Sequence, residues 1–350
     1  MNTDKIYGFG IVGTGAIADI HADAIKSVAG AKLIGVYNRN YDKAKSFSEK
    51  HGGESFEDLD TFLDRADIDI ICICTPSGLH EEMALLAIRK GKHCLIEKPL
   101  EINTMRCDQM ISEAKRNGVQ LGVVFQSRFY PESRAIKEAI DRNWFGKLAI
   151  GSAYVKWSRT EAYYKQNAWR GTWAFDGGGA LMNQGIHAVD VLQWYMGEVE
   201  SVQAMTGNFR HEEIEVEDTV VAILRFKNGA LGTIECSTAL YPGFLKRIEI
   251  TGTEGSAVIE DADITKWEFM NADANAYYAV KAKDESKDAN GGVSNPMAIS
   301  SLGHQLQITD FINALNASAK PFIDGEEGRK SVRIIEAIYE SARTGKPVYL

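Results

Sequence analysis

The chain has 350 residues, 45% of them hydrophobic and 25% charged, the composition of a soluble globular protein long enough for two ordinary domains. Its formal net charge of −9 argues against broad nucleic-acid or anionic-membrane binding, and no apolar run is long enough to cross a bilayer. The polar start, Met1 to Lys5, runs straight into a strand and leaves no room for a signal peptide, so a cytoplasmic location is expected.

Residues 7–12 read as a buried strand, followed by Gly13-Thr14-Gly15-Ala16-Ile17-Ala18 and a helix to about residue 28. This is G-x-G-x-x-A: a turn glycine, a glycine for close approach of a pyrophosphate, and a small residue for helix packing. The phosphates would rest on the N–H groups at the helix start. A second strand, 32–37, ends at Asn38-Arg39, about twenty residues past the glycines, where an acid would bind the ribose of NAD. Asn38 does not repel a phosphate, and Arg39 could pair with one, so the cofactor is read as NAD or NADP. The bland alternative is a turn capped by Asn38 with Arg39 in solvent.

The next strand, 68–74, leads through Thr75-Pro76-Ser77-Gly78-Leu79-His80 into a helix over 81–90. The run His93-Cys94-Leu95-Ile96 then reaches Glu97-Lys98-Pro99. A lysine at the carboxyl end of a parallel strand stands where open α/β sheets bind ligands, and Pro99 fixes the turn that aims it. An ordinary surface charge ending a strand is the competing reading. With one more strand at 119–125, the alternation builds a single parallel sheet by the right-handed crossover rule. Thr75, Pro76, His80, Glu97, Lys98 and Gln126 share its carboxyl edge as candidate cofactor contacts. Five cysteines (Cys72, Cys74, Cys94, Cys107 and Cys236) lack metal-ligand spacing, read as buried reduced thiols, and no metal is expected.

Past residue 126 the pattern changes, so the chain divides into a 1–125 nucleotide-binding domain and a 126–350 substrate-binding and oligomerisation domain. A helix is expected over 132–142 and strands over 148–157, 219–226, 230–240, 247–251 and 256–259. Asn228-Gly229 between two of them marks a hairpin. The polar stretch 271–300 reads as a long loop, and helices over 302–316 and 326–343 close the domain. Before a helix spanning 180–196 come Trp169-Arg170-Gly171 and the triplet Gly177-Gly178-Gly179. Asn183 and His187, four apart, project from one face of that helix, an arrangement suited to orienting and deprotonating a hydroxyl, with a core histidine satisfied by its neighbours as the competing reading.

These motifs, in this order and spacing, resemble the glucose–fructose oxidoreductase/inositol dehydrogenase (Gfo/Idh/MocA) family over nearly the whole length. The carrying residues are Gly13–Ala18, Glu97-Lys98-Pro99 and the run from Gly177 to His187. The resemblance implies a Rossmann domain followed by a mainly antiparallel α/β domain whose open sheet face mediates dimers and tetramers. It also implies a catalytic lysine at Lys98, a catalytic histidine at His187, and a cis Lys98-Pro99 bond. Where many members carry aspartate one turn before the histidine, this chain has Asn183.

Within the family, Thr75–His80, Trp157-Ser158-Arg159, Tyr163-Tyr164, Trp169–Trp173 and Ile214–Thr219 resemble UDP-N-acetylglucosaminuronic acid 3-dehydrogenases. That likeness implies oxidation of a sugar C3 hydroxyl to a ketone. Gly13, Thr14, Gly15, Ala16, Ile17, Asn38, Arg39, Trp169 and Arg170 are then expected at the cofactor. Lys98, Arg128, Arg159, Tyr163, Tyr164, Asn183 and His187 are expected at the substrate, the arginines (Arg170 among them) for carboxylate or diphosphate groups. The alternatives are an inositol or free-monosaccharide dehydrogenase, a non-catalytic cofactor-binding regulator and an NAD-dependent glycosidase.

Overall fold

The strand Tyr-Gly-Phe-Gly-Ile-Val (β1, Tyr7–Val12) is buried at every position, as expected where both faces of a parallel sheet are covered. The computed structural model describes residues 5–281 and 300–350. The chain divides into two units, Met1–Gln126 with Ser301–Val332 and Ser127–Ser300 with Arg333–Leu350. In the first, β1 lies in an all-parallel sheet with β2 (Ala31–Tyr37), β3 (Glu54–Phe56), β4 (Ile70–Ile73), β5 (His93–Ile96) and β6 (Leu121–Val123). The strand order β3-β2-β1-β4-β5-β6 is that of a dinucleotide-binding sheet. Its last strand is shorter than the 119–125 expected, and the Lys98-Pro99 peptide is cis.

One face of this sheet is covered by the helix Ala16–Ser27 together with Leu302–Asn316. Ala18, Ala22 and Ile25 join Ile308, Phe311 and Ile312 in one core with Phe9, Ile11, Cys72 and Leu95. The Tyr7 hydroxyl donates to Asn316 Oδ1 (3.0 Å) and the Phe125 N–H to Gln307 Oε1 (3.1 Å). Here the structure departs from the division expected at residue 125. The stretch Ser301–Val332 belongs to the first unit, where Ile308, Phe311 and Ile312 pack into the same core as Phe9 and Ile11.

The second unit holds an eight-stranded sheet: β7 (Leu148–Lys156), β8 (Val199–Gly207), β9 (Thr219–Phe226), β10 (Leu231–Ser237), β11 (Arg247–Gly252), β12 (Gly255–Glu260), β13 (Asp263–Phe269) and β14 (Val348–Tyr349). Its order is β13-β12-β11-β7-β10-β9-β8-β14, and every pairing is antiparallel except β7 with β10. The Asn-Gly hairpin forms between β9 and β10, with Gly229 at φ +87° and Asn228 Oδ1 accepting the Ala230 N–H. Helix Ile186–Met196 packs on one face, tightly enough that a Cβ on Gly151 would meet the Met196 side chain at 2.6 Å. The opposite face leaves Ile150, Met205, Val221, Ile223 and Leu231 exposed.

The strands β8, β13 and β14 and the short helix Glu161–Lys165 stand outside the expected elements, and two of the segments read from sequence take another form. The stretch read as a loop from 271 begins as a helix, Ala272–Lys281, whose first turn is capped by Asn271 Oδ1 accepting from Asp273 and Ala274, and whose Tyr277 and Tyr278 rings stack on Trp267. The rest of that expected loop, 282–299, lies outside the described residues. The single helix expected over 180–196 is instead a π-helical segment, Ala180–Gly185, continued by the α-helix from Ile186.

Candidate active site

Gly13 sits at φ +93°, and a Cβ there would meet the Cys74 carbonyl oxygen at 2.7 Å, so glycine is required where the chain turns off β1. At Gly15 the opposite holds: nothing lies within 4 Å of a Cβ position. That open space stands before the helix Ala16–Ser27, which starts with no side-chain cap and so presents its first N–H groups outward. Thr75 Oγ1 and Gln126 Oε1, both at the carboxyl edge of the sheet, are buried without a hydrogen-bond partner in the protein. Open backbone, uncapped helix and orphaned acceptors fit the pyrophosphate and polar edges of a dinucleotide. Asn38 is a half-buried brace: its Nδ2 donates to Thr14 Oγ1 (2.8 Å) and its Oδ1 accepts the Asn40 N–H (2.9 Å), while Arg39 is exposed.

The strand β5 delivers Lys98 onto a loop braced from beneath. Glu97, expected to meet the cofactor, is buried instead. Its Oε1 accepts from His21 Nε2 (2.8 Å) and His304 Nε2 (3.4 Å), and its Oε2 from the Lys98 N–H (3.2 Å). Burial pushes its pKa up, but the two imidazoles prevail and hold the carboxyl well below the usual carboxylate range. His80, likewise expected at the cofactor, is also buried: its ring lies between the carbonyls of Pro99 (2.8 Å) and Thr75 (3.1 Å), and burial pushes its pKa down. Both residues act on the shape of the loop that carries Lys98. Among the described residues, His21, Glu97 and His304 are the one trio whose ligating atoms lie close enough to hold a metal ion. Their direct hydrogen bonds make them a charge-balanced network in their own right.

In the second unit, Arg128 is committed to the core. It is 1% exposed, pairs through two nitrogens with Asp190 (2.7 and 2.8 Å) and lies over the Trp194 ring, so the expected substrate cation is a structural ion pair. Arg159 and Arg170 do come together. Both guanidinium groups lie over the Tyr163 ring, at 5.5 and 4.1 Å, and Arg159 also lies over Trp157 (4.9 Å) and Arg170 over Trp169 (5.6 Å). Tyr164 instead points to Thr238 Oγ1 (2.8 Å) and packs on His211.

The segment carrying Asn183 and His187 is anchored by two carboxylates that sequence reasoning did not single out. Glu217 accepts from the N–H groups of Gly179 (2.7 Å) and Leu181 (2.9 Å) and from the Tyr339 hydroxyl (3.1 Å). Its burial outweighs these bonds and raises its pKa to about 7. The approach is so close that a Cβ on Gly179 would lie 1.7 Å from the Glu217 carbonyl oxygen. Asp176 accepts from the Gly171 N–H (2.9 Å) and from Asn183 Nδ2 (2.6 Å). From Asp176 to Gln193, only Asn183 and His187 escape full burial. A π-helical turn at such a place is a common mark of a functional site. The available signals were the positions of Asp176, directly before the glycine triplet, and of Glu217, within Ile214–Thr219.

Known proteins resemble this chain over most of its length. Residues 7–125 match the oxidoreductase family with an NAD-binding Rossmann fold, and residues 133–258 the GFO/IDH/MocA C-terminal domain. The crystal structure of the WlbA dehydrogenase from Bordetella pertussis in complex with NADH and UDP-GlcNAcA is 33% identical, with 99% of each chain covered and a TM-score of 0.86. Myo-inositol 2-dehydrogenase of Thermotoga maritima is 27% identical over 97% of this chain and 98% of its own. Glucose-6-phosphate 3-dehydrogenase of Bacillus subtilis is 32% identical over 69% of this chain and 71% of its own. The chain therefore belongs to the Gfo/Idh/MocA oxidoreductases and carries their NAD-binding Rossmann domain.

Proposed function

We propose that this oxidoreductase removes hydride from a sugar ring carbon bearing a hydroxyl, and that its substrate is a nucleotide-linked uronic acid, with C3 of UDP-N-acetylglucosaminuronic acid as the reacting position. The likeness to the UDP-GlcNAcA-bound dehydrogenase over 99% of both chains carries this reading. The two guanidinium groups over the Tyr163 ring support it, because a uronate and a diphosphate both need such cations. The nicotinamide, when bound, accepts the hydride. His187 takes the hydroxyl proton, and the Lys98 ammonium stabilises the negative charge growing on the same oxygen, an electrostatic role typically worth on the order of a hundredfold to a thousandfold in rate. The cofactor is NAD or NADP, and the exposed apolar face of the second sheet is read as the contact between copies in a homodimer or homotetramer.

Nicotinamide absorbance, followed with NAD and NADP against UDP-N-acetylglucosaminuronic acid, myo-inositol and common hexoses, tests the substrate. Turnover of the nucleotide sugar is expected, and Lys98→Ala should lower it at least a hundredfold while cofactor binding persists. Turnover confined to inositol would favour the second reading, supported by the full-length likeness to a myo-inositol 2-dehydrogenase. Full activity in Lys98→Ala would remove the lysine from the mechanism.

A further inference from the structure

We propose that Asp176 is a positioning residue that orients the Asn183 side chain, turning it into a hydrogen-bond acceptor on the surface it shares with His187. This deepens the reading above and rests on His187 acting as the base. Asp176 is 2% exposed, and its carboxylate oxygens accept from the Gly171 N–H on Oδ2 and from Asn183 Nδ2 on Oδ1. An ionised carboxylate can only accept. The amide nitrogen of Asn183 must therefore face Asp176 (2.6 Å), and its Oδ1 is held on the other side of the amide plane. There Oδ1 already accepts from Gln184 Nε2 (3.2 Å), whose other contact is the Tyr163 hydroxyl (2.9 Å).

The result is a chain of hydrogen bonds from Gly171 through Asp176, Asn183 and Gln184 to Tyr163, the ring over which Arg159 and Arg170 lie. Gly171 is itself locked at φ +71°, with Ile214 2.8 Å from its Cβ position. An amide with no charged neighbour can present either end to a ligand. Here the charge-assisted bond, roughly twice as strong as a neutral one, leaves one choice. Asn183 offers an oxygen that accepts from a hydroxyl beside the reacting one on the ring, which fixes the ring so that the reacting hydroxyl turns its own proton toward His187.

Three variants test the idea. Asp176→Asn keeps size and burial but lets the amide at 183 turn over, so kcat should fall at least tenfold while the KM for the cofactor stays within twofold. The exchange Asp176→Asn/Asn183→Asp keeps the hydrogen bond with donor and acceptor reversed and retains an accepting oxygen at 183; it should recover most of the loss. Asn183→Asp alone sets two carboxylates against each other, one of which must hold a proton, and should move the acid limb of the kcat profile upward. Wild-type kcat in Asp176→Asn, or a double exchange no better than the single change, overturns the proposal. His187→Ala, measured in parallel, reports on the underlying reading: if it keeps activity, that reading fails. Hydrogen exchange of the Asn183 side-chain amide then decides for Asp176 alone. Exchange at least tenfold faster in Asp176→Asn supports the orienting bond, and unchanged exchange overturns it.

Discussion

Asn38, read from sequence as a ribose contact, shows how much one side chain can decide. Its amide bridges Thr14 of the glycine loop and the Asn40 N–H, so it shapes the turn without bringing a negative charge to the ribose. Asn38→Asp would keep the acceptor for Asn40 and add a charge that repels a 2′-phosphate and accepts from ribose hydroxyls. We expect the ratio of kcat/KM with NAD to that with NADP to rise at least tenfold. An unmoved ratio would mean that Asn38 does not face the ribose. Asn38 stood out in the sequence because its distance from the glycine motif matches that of a ribose-binding position. Glu97 and His80 were legible as important but not in role: adjacent motif positions do not say which side chain turns inward, and both turned inward to brace Lys98. Arg128 was opaque for the same reason, since Asp190, its partner in the core, lies 62 residues away in sequence.

At the scale of elements, the turn of π-helix ahead of His187 depends on Glu217. That carboxyl is the acceptor for two buried N–H groups at the start of the segment and for the half-buried Tyr339 hydroxyl. The folded state raises its pKa from 4.5 to about 7, so folding favours the protonated form. The folded chain then binds more protons than the unfolded one between those values, and stability falls as pH rises from about 4.5 to 7, levelling above. At about 1.4 kcal/mol per tenfold change in proton affinity, the span is on the order of 3 kcal/mol. Glu217→Gln keeps an acceptor and removes the titration. Its melting temperature should therefore lose less than wild type's between pH 5 and 7.5; parallel pH dependences would exclude Glu217 as the source. Periodicity revealed a helix here, but a π-turn differs from an α-turn by one residue per hydrogen bond and leaves no trace in the apolar pattern. The helix at Ala272 was missed because its stabilising contacts are aromatic rings on a neighbouring strand rather than an apolar stripe of its own.

For the molecule as a whole, the open face of the second sheet carries the expectation of assembly. Ile150, Val221, Ile223 and Leu231 stand exposed on three adjacent strands, a larger apolar surface than a sheet facing water usually keeps. Ile223→Glu would place a charge among them. Light scattering behind gel filtration should then show the oligomer replaced by the monomer mass; a wild type that is monomeric at micromolar concentration would refute the reading. The alternating βα order made the first fold visible in sequence, and the Asn-Gly hairpin marked the second. What no local pattern could tell is that Leu302–Asn316 packs on the helix Ala16–Ser27, almost 300 residues upstream, because long-range pairing leaves no periodic signature.

That late return sets a timetable for the growing chain. Ile308, Phe311 and Ile312 complete the core around Phe9 and Ile11, and β14 joins the edge strand β8 in the other unit. During synthesis at about 5–20 residues per second, the apolar side of Ala16–Ser27 therefore waits tens of seconds for its cover. Neither half can seal while its last segment is still inside the ribosome. The helix Ala16–Ser27 is correspondingly an uncovered apolar element until residues 308–312 have emerged, a surface of the kind that chaperones hold.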